Sequence, residues 1–126
     1  MEDQLRSTSQ NGALTLRKIR RLIDGEIICG EDRADQVVDS ASGSDLMSDV
    51  LARARAGTLW AANQKHQNVI GVAVMLSLAG VVIAGGVEPD ENTLHKAADE
   101  RTALYTTDAT MFEVVGRLYE LGVRSC

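Results

Sequence analysis

Aromatic side chains are scarce: Phe112 and Trp60 are the single Phe and Trp of this 126-residue chain, joined by two tyrosines. Its core must therefore be built mainly from Val, Leu, Ile, Ala and Met. Cysteine is nearly as rare. Cys29 and Cys126 show no repeated spacing, and so establish neither a disulfide framework nor a metal site. Cys29, beside Ile27 and Ile28, reads as a small core residue, and Cys126 as an ordinary tail cysteine. His66 and His95 with scattered acids specify no metal centre. Basic charge is in deficit, with Lys+Arg 13 against Asp+Glu 18, and a net charge of -5 argues against broad nucleic-acid binding. After Met1 there is no basic segment leading into an apolar secretory stretch, so a cytoplasmic location is expected.

One long uncharged run exists, from Val69 to Gly86. A membrane span needs about 20 apolar residues. This run is interrupted at Gly80, closes on Gly85 and Gly86, and lacks flanking aromatic belts. It reads as a buried helix followed by a strand, and no membrane partner is expected.

The rest follows from periodicity. Residues 1–12 read as a flexible leader, 13–123 as one α/β domain and 124–126 as a tail. Thr15 is placed to cap a helix over 16–23, whose other side carries Arg17, Lys18, Arg20 and Arg21 as a solvated or anion-facing surface. A strand is expected at 26–29, and a short strand or edge segment at 36–39. Ser42 or Ser44 is expected to cap a helix over 45–56 with Leu46, Val50, Leu51 and Ala54 on one face. Residues 58–62 form a strand, and Asn68 is placed to cap a helix over 69–78. That helix is apolar on nearly every face, so something beyond the sheet must cover it, such as a second subunit. A strand at 81–83 follows, then a helix starting at Asp90 or Asn92 with Leu94, Ala97 and Ala98 inward. The last pair is a strand at 103–106 and a helix faced by Met111, Val114, Val115, Leu118 and Leu121, with Thr110 and Glu113 spaced as a capping box.

Alternating helices and strands predict a compact three-layer α/β sandwich with a mostly parallel central sheet. In such a sheet the loops leaving the carboxyl ends of the strands share one edge, where ligands bind. Ser42, Ser44, Asn63, Gln64, Lys65, His66, Asn68, Gly85, Gly86, Thr107 and Asp108 are the residues expected there. Lys65 suits a phosphate or carboxylate, and Gln64, His66 and Asn68 supply directional hydrogen bonds, so a small anionic ligand fits the set. No Walker motif or dinucleotide fingerprint accompanies them, and no cofactor is specified. His66 and Asp108 are a conceivable acid/base pair across neighbouring loops, yet no nucleophile completes a catalytic group. His95 reads as a surface histidine on its helix.

The stretches 14–19, 44–50, 58–60, 64–68 and 112–119 together resemble the small DRTGG domains, in particular the stand-alone proteins encoded near iron-only hydrogenase or related redox genes. Where that family often carries a Gly-Asp-Arg type sequence, this chain has Gln64, Lys65 and His66. The resemblance spans nearly the whole chain. It implies a fold like the amino-terminal domain of HPr kinase/phosphorylase and a regulatory or assembly module without independent catalytic activity. It also implies a homodimer, a redox-complex protein as partner, and adenine-nucleotide sensing as the alternative role.

Overall fold

The computed structural model describes residues 14–125. In chain order it contains α1 (Leu16–Leu22), β1 (Glu26–Cys29), a 3-10 turn (Glu31–Arg33), β2 (Ser40–Gly43), α2 (Met47–Arg53), β3 (Thr58–Ala62), α3 (Asn68–Met75), β4 (Gly80–Ile83), α4 (Glu91–Glu100), β5 (Leu104–Thr106) and α5 (Met111–Glu120). The strands form one five-stranded sheet in the order β1-β5-β4-β3-β2. Neighbours from β2 to β5 run parallel, and β1 joins β5 antiparallel. The three-layer sandwich expected from the alternation is what forms.

Both faces of the central strands are covered, because every residue of β3 and β4 is buried. Leu59, Ala61 and Val82 face the layer of α1 and α5, packing with Leu16, Ile19, Val114 and Leu118. Trp60, Ala62, Val81 and Ile83 face α2, α3 and α4, packing with Val50, Val69, Ile70 and Ala97. Trp60 anchors this second layer, and its indole N–H donates to the Ser44 carbonyl at 2.8 Å, which satisfies its polar end. Two close approaches depend on glycine. A side chain at Gly43 would strike Val115 of α5 at 2.6 Å, and one at Gly30 (φ 88) would strike the Ala103 Cα at 2.7 Å.

Local chemistry sets several of the ends as expected. The Thr15 hydroxyl accepts the Lys18 N–H, Asp90 caps α4, and Thr110 and Glu113 form a complete capping box on α5. Other expectations are corrected. The edge strand forms at 40–43 instead of 36–39, because Ser40, Ala41, Ser42 and Gly43 pair in parallel with residues 58–61. Val37 contributes only an isolated bridge to Thr15. α2 is shorter than 45–56 and has Leu46 as N-cap, without a side-chain cap. Ser42 lies inside β2, and the Ser44 hydroxyl accepts the Leu46 N–H ahead of the helix. Asn68 is the first helical residue of α3 rather than its cap, and Gln67 in the cap position makes no capping bond. On α4, Thr93 joins Ala97 inside while Ala98 and Leu94 are exposed. α3 is less covered than its composition suggests, with Val74 and Met75 outward. The expected leader and Cys126 lie outside the described residues.

Tyr105 of β5 is buried in the layer of α1, and its hydroxyl has no hydrogen-bond partner among the described residues. Burial pushes its pKa up. A buried hydroxyl without a partner costs free energy that the same ring without oxygen avoids. Tyr105→Phe is accordingly expected to raise unfolding stability by about 1 kcal/mol. Urea denaturation of the two proteins checks this, and a clear loss of stability in the variant would contradict it.

Candidate functional site

The parallel strands deliver their following loops to one edge, and each loop is tied down by a neighbour. After β3, the Asn63 N–H donates to Asp45 Oδ1 at 2.6 Å and the Gln64 side-chain amide donates to the Asp45 carbonyl. Two residues on, the Lys65 carbonyl accepts the Asp90 N–H at 3.2 Å and the Thr93 hydroxyl. The polar loop is thereby strung between α2 and the start of α4. After β4, Gly85 donates its N–H to the Ala109 carbonyl at 2.7 Å and Gly86 to the Thr107 carbonyl at 3.0 Å. Both glycines have positive φ, 75 and 72, the left-handed turn that glycine adopts without strain. After β5, the buried Thr107 hydroxyl donates to the Ile23 carbonyl at 2.7 Å and accepts the Ala109 N–H.

These ties sort the expected residues. Asn63 stands beside Gly85, and Asp108 beside Gly86, so Asn63, Gly85, Gly86, Thr107 and Asp108 share the middle of the edge. Ser44 and Gln64 lie toward α2, with Ser42 inside its strand. Lys65 and His66 lie against the α4 N-terminus, where His66 Nδ1 is 3.7 Å from Asp90 Oδ2. The carboxylate beside His66 is therefore Asp90, where Asp108 was the expected partner. Asn68 belongs to a different place again, a groove of about 440 Å³ with Met47, Gly71, Val72 and Met75. His95 is on the outer surface of α4, beside Asn92 and Asp99.

A cleft of about 520 Å³ opens at the edge, and only Gly86, Thr107 and Asp108 of the expected set line it. The remainder comes from Arg20, 24–26, Ile28, 87–89, Leu94 and Thr106. Residues 87–88 and Thr106 belong to the loops expected at this edge, whereas Arg20, 24–26 and Ile28 were missed because β1 sits beside β5, which carries the α1–β1 turn to the loops after β4 and β5. No local pattern announces that placement. Ile28, Val87, Pro89 and Leu94 make the cleft partly apolar, while Asp24, Glu26, Glu88 and Asp108 outnumber Arg20 around it. Among the described residues, no group of three or more His, Cys, Asp or Glu side chains is placed to hold a metal ion. Cys29 is half-buried with a free thiol, and burial foremost, then Glu31, pushes its pKa up, away from a reactive thiolate.

With 14% identity and a TM-score of 0.72, the chain is similar in structure to the CBS and DRTGG domains of the regulatory region of Clostridium perfringens pyrophosphatase, a structure complexed with the activator diadenosine tetraphosphate. The match covers 88% of this chain and 48% of that one, so this chain spans about half the length of its structural neighbour. The likeness is one of fold, and it supports a DRTGG-like α/β architecture. No family model and no curated protein matches the sequence. Among the described residues, no helix is long and apolar enough to cross a membrane.

Asp90 joins the loop to the fold. Its carboxyl pKa is held below the ordinary Asp value, first by the Thr93 hydroxyl and then by the Thr93 N–H, with His66 and Lys65 adding attraction. Because the folded-state value is the lower one, the ionised cap stabilises at pH above the unfolded carboxyl's pKa, and that contribution is lost as pH falls through the folded value. Carbon-detected NMR is expected to show Asp90 titrating more acidically than a free Asp, with the Thr93 amide losing hydrogen-exchange protection in the same acid range. An ordinary Asp titration curve would remove Asp90 from this role.

Proposed function

We propose that this chain is a non-catalytic regulatory or assembly module that acts as a homodimer. The observation that carries the reading is the outer face of α5. Phe112, the only phenylalanine, is 87% exposed, and Tyr119 two turns later is 60% exposed. Val115 lies between them, and beside it Gly116 opens onto free space. Positions i, i+3, i+4 and i+7 share one helical face, so the large side chains flank a flat centre. Such a stripe is self-complementary: in an antiparallel pair, Phe112 of each copy meets Tyr119 of the other and the helices approach closely at Gly116. Aromatic anchors around a small residue are the side chains on which interface energy concentrates.

The one His–carboxylate contact among the described residues, His66 with Asp90, uses a carboxylate already engaged in capping α4. That supports a binding role for the loop over acid/base chemistry. A redox-enzyme setting and a redox-complex partner rest on the sequence resemblance alone.

Ligand sensing is a second reading, favoured by the loop that presents Lys65 and His66 outward next to the α4 N-terminus. Positive charge and helix-end N–H groups suit a small anion, and adenine nucleotides are the class to test, given the activator in the structural neighbour. In this reading Lys65→Ala weakens the binding of diadenosine tetraphosphate about tenfold in calorimetry without changing the circular dichroism spectrum. Equal affinity in the variant removes Lys65 from the site.

For the dimer, sedimentation at micromolar concentration is expected to give twice the chain mass. Phe112→Glu should shift it to the single-chain mass while leaving the fold intact, since the side chain is outside the core. Loss of one aromatic anchor from each copy, at about 2 kcal/mol per anchor and so about 4 kcal/mol per dimer, corresponds to a nearly 1,000-fold weaker dimer. A strictly monomeric parent protein sinks the reading.

A further inference from the structure

The two outermost strands of the sheet are finished differently. β1 carries Glu26 and a bulge between Ile27 and Cys29, features that keep an edge from pairing further. β2, over Ser40–Gly43, has no charge, no proline and an unbroken register. Backbone groups of successive residues alternate between the two sides of a strand. The Ser44 N–H turns inward to the Ala61 carbonyl and the Ala41 N–H turns outward, so Ala41 and Gly43 present their N–H and C=O groups to the open side. Among the described residues one bond is made there, from the Ala41 N–H to the Arg124 carbonyl at 3.1 Å, with an isolated bridge to Ser125.

α5 lies over this same edge. It packs on β2 and β3, and Val115 sits where a side chain at Gly43 would reach. On its other flank, Arg117 donates to the Leu22 carbonyl at the end of α1. Phe112, Val115 and Tyr119 therefore face away from α1, past β2 and out of the side of the molecule. Their stripe is too small to make an interface alone. A helix of ten residues is about 15 Å long and about 10 Å across, whereas a stable interface takes about 800 Å² from each partner. The surface beside the stripe is the β2 edge.

We infer that the β2 edges of two copies pair antiparallel and join their sheets into one, an inference that rests on the α5 dimer proposed above. Spacing decides for it. Paired strands are about 4.8 Å apart, and a helix centred over β2 and β3 lies about 2.4 Å inside β2. Direct pairing of β2 with β2 then sets the two α5 axes about 10 Å apart, within the roughly 8–10 Å of packed helices. With residues 124–125 of both copies left between the β2 strands, the axes would be about 19 Å apart and Phe112 would not meet Tyr119. The tail is accordingly a strap that leaves β2 as the dimer forms. Its release costs the bond from Ala41 to Arg124, while pairing Ala41 of each copy with Gly43 of the other makes about four ladder bonds. Val123 stays on the Leu118 carbonyl, and the Arg124 guanidinium on the Tyr119 carbonyl, so only the backbone beyond them moves. Ser42 then faces its own copy across the two-fold axis, as a pair with Cα atoms about 4.5 Å apart.

Cross-linking at Ser42 in the full chain tests this. Cys126→Ser removes the terminal thiol, and Ser42→Cys added to it puts two thiols within the span of a disulfide. Under mild oxidation the expected product is almost entirely covalent dimer. The Ser48→Cys control, on the exposed surface of α2, should remain single chains. Hydrogen exchange on the unsubstituted protein reads the same contact without any change of side chain. The Gly43 amide should be protected in the dimer and exchange about tenfold faster, or more, in Phe112→Glu single chains. A sedimenting dimer that fails to cross-link at Ser42→Cys, or that leaves the Gly43 amide unprotected, overturns the inference while the α5 reading stands. A single-chain mass for the unsubstituted protein overturns both.

Discussion

Burial of β3 and β4 on both faces is the constraint on which the molecule depends. Their side chains alternate between two layers, with Leu59, Ala61 and Val82 toward α1 and α5, and Trp60, Val81 and Ile83 toward α2, α3 and α4. Neither layer is dispensable, because either loss would expose a row of apolar side chains whose burial is worth about 1.5–3 kcal/mol each. Parallel neighbours also require crossover helices, so the same constraint that fixes the layers sends every returning loop to one edge. The candidate site is a by-product of how the central pair is buried.

What happens at that edge is decided by hydrogen bonds between loops rather than within them. Asp45 holds the start of the loop after β3, while Asp90 and Thr93 hold its middle through the Lys65 carbonyl. Gly85 and Gly86 bond to Ala109 and Thr107, and Thr107 to Ile23. Asp108 of the cleft is followed directly by Ala109 and by Thr110, whose capping box starts α5. One short segment thus carries a carboxylate of the cleft and the first turn of the helix that presents Phe112. The edge cleft and the helix with the exposed aromatic face are thus adjacent in the chain.

How much of this was legible in the sequence depends on the range of the interaction. Caps are local, so Thr15, Asp90 and the Thr110–Glu113 box could be read from spacing, and the alternation of elements was enough for the layered α/β architecture. β2 was misplaced because Ser40 to Gly43 have little strand propensity of their own. They are extended by pairing with β3, with the buried Ser40 and Thr58 hydroxyls 2.9 Å apart. The same lesson applies at α2, where the expected serine caps gave way to Leu46. At the edge, Asn63, Gly85, Gly86, Thr107 and Asp108 were brought together, yet the cleft drew much of its wall from residues 24–28. Only the antiparallel placement of β1 puts them there, and strand order is not written in any local pattern.

The composition gives the exposed face of α5 its weight. An isolated exposed apolar residue is ordinary in any protein and calls for no explanation. This chain, however, has few aromatic side chains with which to build two core layers, and it assigns Trp60 and Tyr105 to them. Phe112 and Tyr119 are on the surface of one helix, whose inner face is already filled by Val114 and Leu118. Arg124 lies 3.9 Å from the Tyr119 ring centroid and donates to its carbonyl, which orders that side chain before any partner arrives. A ring held in place loses less entropy on docking than a free one. The stripe therefore combines apolar area with prior order, the two properties on which the proposed dimer rests.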